Sequence, residues 1–201
     1  MKRLIFATNN KHKVKEVRAA LEGVCEIVTL AEAGLHGEIP ETADTLQGNA
    51  LQKAQWVWNN KHLTQNTGYD GVIADDTGLE VDALGGAPGV YSARYAGEHC
   101  SFDDNINKLL QALDGQTNRK ADFRTVICLI EGGDERYFEG RVDGQILTER
   151  HSNGEGFGYD PVFIPDRFAV SFAEMPLDVK NSISHRGLAV KKLVEYLTHN
   201  S

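Results

Sequence analysis

The chain has 201 residues, 41% hydrophobic and 25% charged, with 20 glycines and 5 prolines, a composition that suits a buried core and excludes disorder and collagen-like structure. Lys and Arg total 21 against 29 Asp and Glu, and the resulting net charge of −8 argues against a broad grip on a nucleic acid polymer. No apolar run nears the roughly 18 residues of a membrane span, and the scattered Cys25, Cys100 and Cys128, with no Cys-x-x-Cys pair, fit reduced thiols in a cytoplasm.

In chain order, Lys2 to Thr8 reads as a short buried strand that turns through Asn9 and Asn10 into a helix with Val14, Val17 and Leu21 on one face. Glu26 to Leu30 reads as a second strand, followed by an acidic loop from Ala31 to Thr42. The spacing of Leu46, Ala50, Ala54 and Val57 predicts a second helix, with Asp44 as its cap and Gln47 three residues on. The segment from Trp58 to Tyr69 is polar and predicted to be exposed. Gly71 to Ala74 is an apolar strand ending in Asp75, Asp76, Thr77 and Gly78, at the kind of strand terminus where open α/β sheets place ligands.

Ser101 with Asp104 makes a capping box ahead of Ile106, Leu109, Leu110 and Leu113, a third amphipathic helix. Phe123 to Ile130 and Arg136 to Val142, split by Gly132 and Gly133, predict an antiparallel hairpin. Pro161 to Pro165 is a further strand candidate, and a last helix starts near His185 with Val190, Leu193, Val194 and Leu197 on one face. With about 150 residues per domain, residues 1–201 are read as a single mixed α/β domain.

Several segments carry candidate chemistry. Thr8-Asn9-Asn10-Lys11-His12-Lys13 lies at a strand-to-helix turn, where N–H groups, a hydroxyl, amides and a lysine can converge on a phosphate. Any positive φ there falls to Asn, because the turn lacks the glycines of a P-loop. An ordinary helix cap with exposed lysines accounts for the same residues. Asp75 and Asp76 point to opposite faces of their strand, so one of them enters a given site, as a Mg²⁺ ligand or a proton acceptor; a solvated Asp-Thr-Gly turn is the alternative. Glu41 is a second acid that gains meaning only from what surrounds it.

Gly85-Gly86-Ala87-Pro88-Gly89 before Tyr91-Ser92-Ala93-Arg94 is a loop that lets backbone approach a ligand or simply turns tightly. Gly154-Glu155-Gly156-Phe157-Gly158-Tyr159-Asp160-Pro161 offers an aromatic face beside an acceptor, suited to a nucleobase, or a turn whose Phe is core. Lys180-Asn181-Ser182-Ile183-Ser184-His185-Arg186-Gly187 places cationic groups just before a helix, for an anion, a base edge or solvent. No third group orients a Ser–His nucleophile pair.

In this order the segments resemble the inosine triphosphate pyrophosphatase family over nearly the whole chain. The resemblance rests on Thr8, Asn10 and Lys13; on Glu41 with Asn49, Ala50 and Lys53; on Ala74-Asp75-Asp76-Thr77-Gly78-Leu79; on the 85–94 loop; on Phe157-Gly158-Tyr159-Asp160-Pro161; and on Lys180 with Ser184-His185-Arg186-Gly187. Thr77 stands where many members carry Ser and keeps the hydroxyl, and the polar 58–69 segment is longer than in compact bacterial members.

The resemblance implies an elongated central mixed β-sheet flanked by helices, with two lobes around a nucleotide cleft, a Mg²⁺ requirement and a homodimer. It implies that residues 8–13 (Thr8, Asn9, Asn10, Lys11, His12, Lys13) hold the triphosphate, with Lys53 and Lys180 as further phosphate contacts and Thr77 also at the substrate. Glu41 and Asp76 hold the metal, and Asp76 accepts the proton. Phe157 stacks on the purine, with Gly158, Tyr159, Asp160, His185 and Arg186 around the base. The implied reaction is hydrolysis of dITP, ITP or XTP to a monophosphate and pyrophosphate. A non-catalytic purine nucleotide sensor and a phosphohydrolase releasing orthophosphate are the alternatives.

Overall fold

The computed structural model describes residues 1–64, 68–151 and 157–200. Six strands form one mixed sheet in the order β2-β1-β3-β4-β5-β6. β1 (Lys2–Phe6) pairs in parallel with β2 (Cys25–Thr29) and with β3 (Gly71–Val81). β4 (Lys120–Glu131) and β5 (Asp134–Ile146) flank Gly132 and Gly133, whose φ of 62° and 95° match a two-residue turn of type I′. β5 pairs antiparallel with the short β6 (Phe163–Pro165). The hairpin strands thus extend beyond the apolar stretches that predicted them.

The chain divides into two compact units. The first comprises Met1–Asp76, Thr125–Glu139 and Leu188–Ser201; the second comprises Thr77–Arg124 and Gly140–Gly187. In the first unit, α1 (Lys11–Ala20) and α5 (His185–His199) cover one sheet face: Val14, Val17, Val190, Leu193 and Leu197 pack on Leu4, Phe6, Ile73, Ile127 and Leu129. Strand residues alternate between faces, and Asp76, of opposite parity to Ile73, meets α2 (Leu46–Asn60), so α2 lies on the other face. The α2 cap is Thr45, whose Oγ1 accepts from the Gly48 N–H at 3.0 Å; Asp44, the expected cap, is one residue too early.

Two expectations need further correction. Of the polar 58–69 segment, Asn59, His62, Leu63 and Gly68 are exposed as expected but Thr64 is buried; Trp58 to Asn60 belong to α2 and a 3-10 turn follows over Lys61–Leu63, while residues 65–67 lie outside the described residues. β3 does not end at Asp75–Asp76: it runs on through Thr77 and Gly78, because Leu79 and Val81 are fully buried in the second unit's core. The Asp-Thr-Gly turn is therefore absent.

In the second unit α3 (Phe102–Ala112) starts with the expected box: Ser101 Oγ accepts from the Asp104 N–H, and Asp104 Oδ2 accepts from the Ser101 N–H. Its Ile106 and Leu109, with Leu113 just past its end, pack on Leu79, Val81, Phe123, Ile146 and Phe163. Glu80, Asp122, Arg124, Arg141 and Asp143 alternate with these core residues along β3, β4 and β5 and form a charged face, with Arg141 3.3 Å from Asp122 Oδ2. α4 (Leu177–Ile183) was not predicted; it buries no residue, and Gly187 lets α5 begin hard against it.

β2 is one edge of the sheet. The Ile27 C=O accepts from Arg18 Nε and Nη2, the Thr29 N–H donates to Glu32 Oε2 at 2.8 Å, and Arg18 is ion-paired with Glu32.

Candidate functional site

At the turn after β1, Thr8 Oγ1 accepts from the Asn10 N–H at 3.1 Å, and Asn10 Oδ1 accepts from the N–H groups of His12 and Lys13 at 3.0 and 3.3 Å. Asn10 is the α1 cap in an extended conformation. The turn needs no positive φ from Asn9 or Asn10, since His99 and Arg167 are the non-glycine positive-φ residues among those described. The cap occupies two first-turn amides that a bound anion was expected to use. Asn9, Lys11 and His12 are exposed; Lys13 is half-buried, its Nζ 3.0 Å from Asp75.

Asp75 and Asp76 are both buried in mid-strand and, as alternation requires, engage different helices. Asp75 takes Lys13 of α1, whereas Asp76 Oδ2 accepts from Asn49 Nδ2 at 3.1 Å and Oδ1 from Lys53 Nζ at 3.1 Å, both of α2. Lys53 Nζ also lies 2.5 Å from Glu41 Oε1. Glu41 and Asp76, expected to share a metal, already share one ammonium. Lys53, expected as a phosphate contact, is the cation between them.

The electrostatics follow from burial. Desolvation raises the Asp76 carboxyl pKa above the ordinary carboxylate value, opposed by the charges of Lys53 and Lys13. The same burial works to lower the Lys53 pKa, but Asp76, Asp75 and Glu41 together outweigh it and raise it, so Lys53 stays charged. Three carboxylates stand against two ammoniums in this cluster, an excess of one negative charge.

In the second unit, Thr77 is half-buried on β3. Phe157 sits edge-on against Phe102, ring centroids 4.7 Å apart, and its N–H donates to Asp160 Oδ2 at 2.9 Å. The expected glycines Gly154 and Gly156 lie outside the described residues; Gly158 takes a φ of +60°. Asp160 is buried, and its Oδ2 also accepts from Lys180 Nζ at 2.6 Å. Lys180, expected as a phosphate contact, is thus paired with an acid expected beside the base; it lies within the short α4, ahead of α5.

Tyr159 is buried, and its hydroxyl donates to the Ser92 carbonyl at 2.8 Å, while burial pushes its pKa well up. Ser92 Oγ in turn accepts from the Leu79 N–H and donates to the Gly89 carbonyl, so the 85–94 loop ties β3 to the Tyr159 turn. His185 is buried with its ring stacked on Phe123 at 4.6 Å, and Arg186 is half-buried. Ser184 Oγ accepts from the Gly187 N–H, the bond of a cap and not of a nucleophile.

Asn49 is a residue that apolar periodicity on α2 passed over. Its signal was its place one turn before Lys53, which puts both on one helix face.

A profile of the Ham1 family matches residues 4–196. The chain belongs to the Ham1 family. It is 55% identical over 198 residues, 98% of each chain, to a dITP/XTP pyrophosphatase of Porphyromonas gingivalis. The Ham1 protein of Staphylococcus aureus superposes over the full length of both chains with a TM-score of 0.88 at 34% identity. A nucleoside-triphosphatase / dITP/XTP pyrophosphatase of Mycobacterium abscessus covers 95% of this chain and 98% of its own, with a TM-score of 0.75 at 36% identity. Among the described residues of this Ham1-family chain, no group of three His, Cys, Asp or Glu side chains could enclose a metal, and no helix is long and apolar enough to cross a membrane.

The donor set nevertheless fits Mg²⁺, which is commonly held by one or two carboxylates plus substrate phosphates. Glu41 and Asp76 supply hard oxygens around a position where a cation is already favoured, and the excess negative charge of the cluster calls for one more.

Proposed function

We propose that this chain hydrolyses the non-canonical purine nucleoside triphosphates dITP, ITP and XTP to the monophosphate and pyrophosphate. The observation that carries the reading is Asp76, a buried carboxylate whose two oxygens are held by Lys53 and Asn49 while the same lysine holds Glu41. A carboxylate whose burial raises its proton affinity is a better proton acceptor than an exposed one. The names of the relatives, dITP/XTP pyrophosphatase, support the substrate class.

In this reading water attacks the α-phosphorus. Asp76 takes its proton, the bond from the α-phosphorus to the bridging oxygen breaks, and pyrophosphate leaves with that electron pair. Lys13 and Lys53 stabilise the charge gathering on the departing phosphates, and the Thr8–Lys13 turn orients them. Glu41 and Asp76 would hold Mg²⁺, which supplies charge neutralisation and polarisation at the phosphates. Phe157, Asp160 and Arg186 serve the base, with Tyr159 and His185 as their buried support, and Lys180, paired with Asp160, is a further phosphate contact.

Hypoxanthine and xanthine present a 6-oxo acceptor and an N1–H donor where adenine presents the reverse. A site built for the first pattern leaves buried groups unpaired with ATP, a difference of about 10⁴-fold. The reading includes a homodimer in a reducing cytoplasm, supported by the family resemblance and by free Cys25, Cys100 and Cys128. Nucleic acid polymers and membranes are not partners, in keeping with the net charge of −8.

The test is incubation of the purified protein with dITP, ITP, XTP, ATP and GTP plus Mg²⁺. Pyrophosphate from the first three is expected; orthophosphate would identify a terminal phosphohydrolase, and intact nucleotide a sensor.

A further inference from the structure

The loop carrying Glu41 is fastened to α2 residue by residue. Lys53 Nζ meets Glu41 Oε1; Gln52 accepts from the Thr42 N–H at 2.8 Å through Oε1 and donates to Thr42 Oγ1 at 2.9 Å through Nε2; Asn49 Oδ1 accepts from the Ala43 N–H at 2.9 Å. Residues 49, 52 and 53 lie three and four apart, on one face of the helix. Asn49 and Lys53 then turn their remaining contacts to the two oxygens of Asp76.

The result is a closed ring: Glu41 to Lys53, Lys53 to Asp76, Asp76 to Asn49, Asn49 to Ala43, and back along the backbone to Glu41. The chemistry leaves Asn49 one orientation. A carboxylate accepts only and a backbone N–H donates only, so Nδ2 faces Asp76 and Oδ1 faces Ala43. Asn49 is 1% exposed, so water does not offer these groups an exchange of partners.

We propose that Asn49 and Gln52 are positioning residues that hold Glu41 and Asp76 at working separation before substrate or metal arrives. The inference rests on the roles given above to Glu41 and Asp76. Gln52 acts on Glu41 through the loop alone and touches neither acid in the contacts described; Asn49 acts on the loop and on Asp76. Partners that orient a ligating or reacting group cost about 10–100-fold in affinity or activity when removed, because a carboxylate free to swing must be ordered in every turnover.

The experiment compares Asn49→Ala, Gln52→Ala and Gln52→Glu with the parent chain in pyrophosphate release from dITP across a Mg²⁺ titration. Amide hydrogen exchange at Thr42 and Ala43, read without nucleotide or metal, accompanies it. Glu at 52 can still accept from both the Thr42 N–H and its hydroxyl, so it is the conservative rescue.

Expected are an about 10–100-fold lower kcat for Asn49→Ala with an unchanged KM for dITP, and for Gln52→Ala a rise of about 10-fold in half-saturating Mg²⁺ that Gln52→Glu largely restores. Exchange speeds up at Ala43 in the first variant and at Thr42 in the second. Wild-type kcat and Mg²⁺ dependence in Gln52→Ala, or unchanged exchange at these amides, overturns the inference, and this holds even if Asn49→Ala fails to fold. A parent chain that releases no pyrophosphate overturns instead the reading on which it rests.

Discussion

At Asp76 two tendencies oppose each other. Burial favours the protonated acid; Lys53, Lys13 and the Asn49 amide favour the anion. Burial thus makes it a better proton acceptor than an exposed carboxylate, while its donors hold it in place. Asp76→Asn keeps the shape but removes the acceptor and turns an N–H₂ toward groups that already donate. The expected result is a fall in kcat of about 10²–10⁴-fold, the usual worth of a positioned proton acceptor, with an unaltered far-UV circular dichroism spectrum; near-normal turnover would remove Asp76 from the chemistry. The residue types of this site were legible in the sequence, but their pairings were not. The pairing of Lys53 with Glu41 and Asp76 was not legible because a lysine announces its charge and not its partners, and Asn49 entered only through the family resemblance, with no role, because a buried amide has no periodic signature.

Among the elements, those with a strong local code were legible: α1 by its apolar face, α3 by the Ser101–Asp104 box, and the β4–β5 hairpin by its paired glycines. β3 was cut short because Asp-Thr-Gly looks like a turn to its neighbours, and only the core that receives Leu79 and Val81 keeps it extended. α4 was missed for the opposite reason: Leu177 and Val179 are exposed, so no apolar stripe marks it. Its place depends on Gly187, where an added Cβ would lie 1.8 Å from the Asn181 carbonyl oxygen. That atom is backbone and cannot swing aside. Gly187→Ala should therefore lower stability by about 1–3 kcal/mol, the common range for overpacking, seen as a lower urea midpoint; an unchanged midpoint would mean that α4 and α5 separate freely.

On the scale of the whole molecule, acid excess has a cost that depends on pH. Asp122 is buried on the charged face of the second unit, and its Oδ1 has no hydrogen-bond partner among the described residues. Desolvation raises its pKa, Glu80 and Asp143 add to the rise, and Arg141 and Arg124 oppose it. A carboxyl with a raised folded-state pKa binds its proton more tightly folded than unfolded. Its contribution to stability is fully present below the unfolded value of about 4 and is lost as pH rises through the folded value. Urea unfolding across that window should show Asp122→Asn with a smaller loss of stability on going to neutral pH than the parent chain; parallel pH curves would show that Arg141 wins instead.

The Arg18–Glu32 clip on β2 has a consequence for how copies of the chain meet. Edge strands are templates for adding further strands, and fibrous growth starts there. With the Ile27 carbonyl and the Thr29 amide both engaged from within, the outermost rung of the sheet is already spoken for. A passing β-strand finds two of its docking points taken, which disfavours edge-to-edge strand addition along this border.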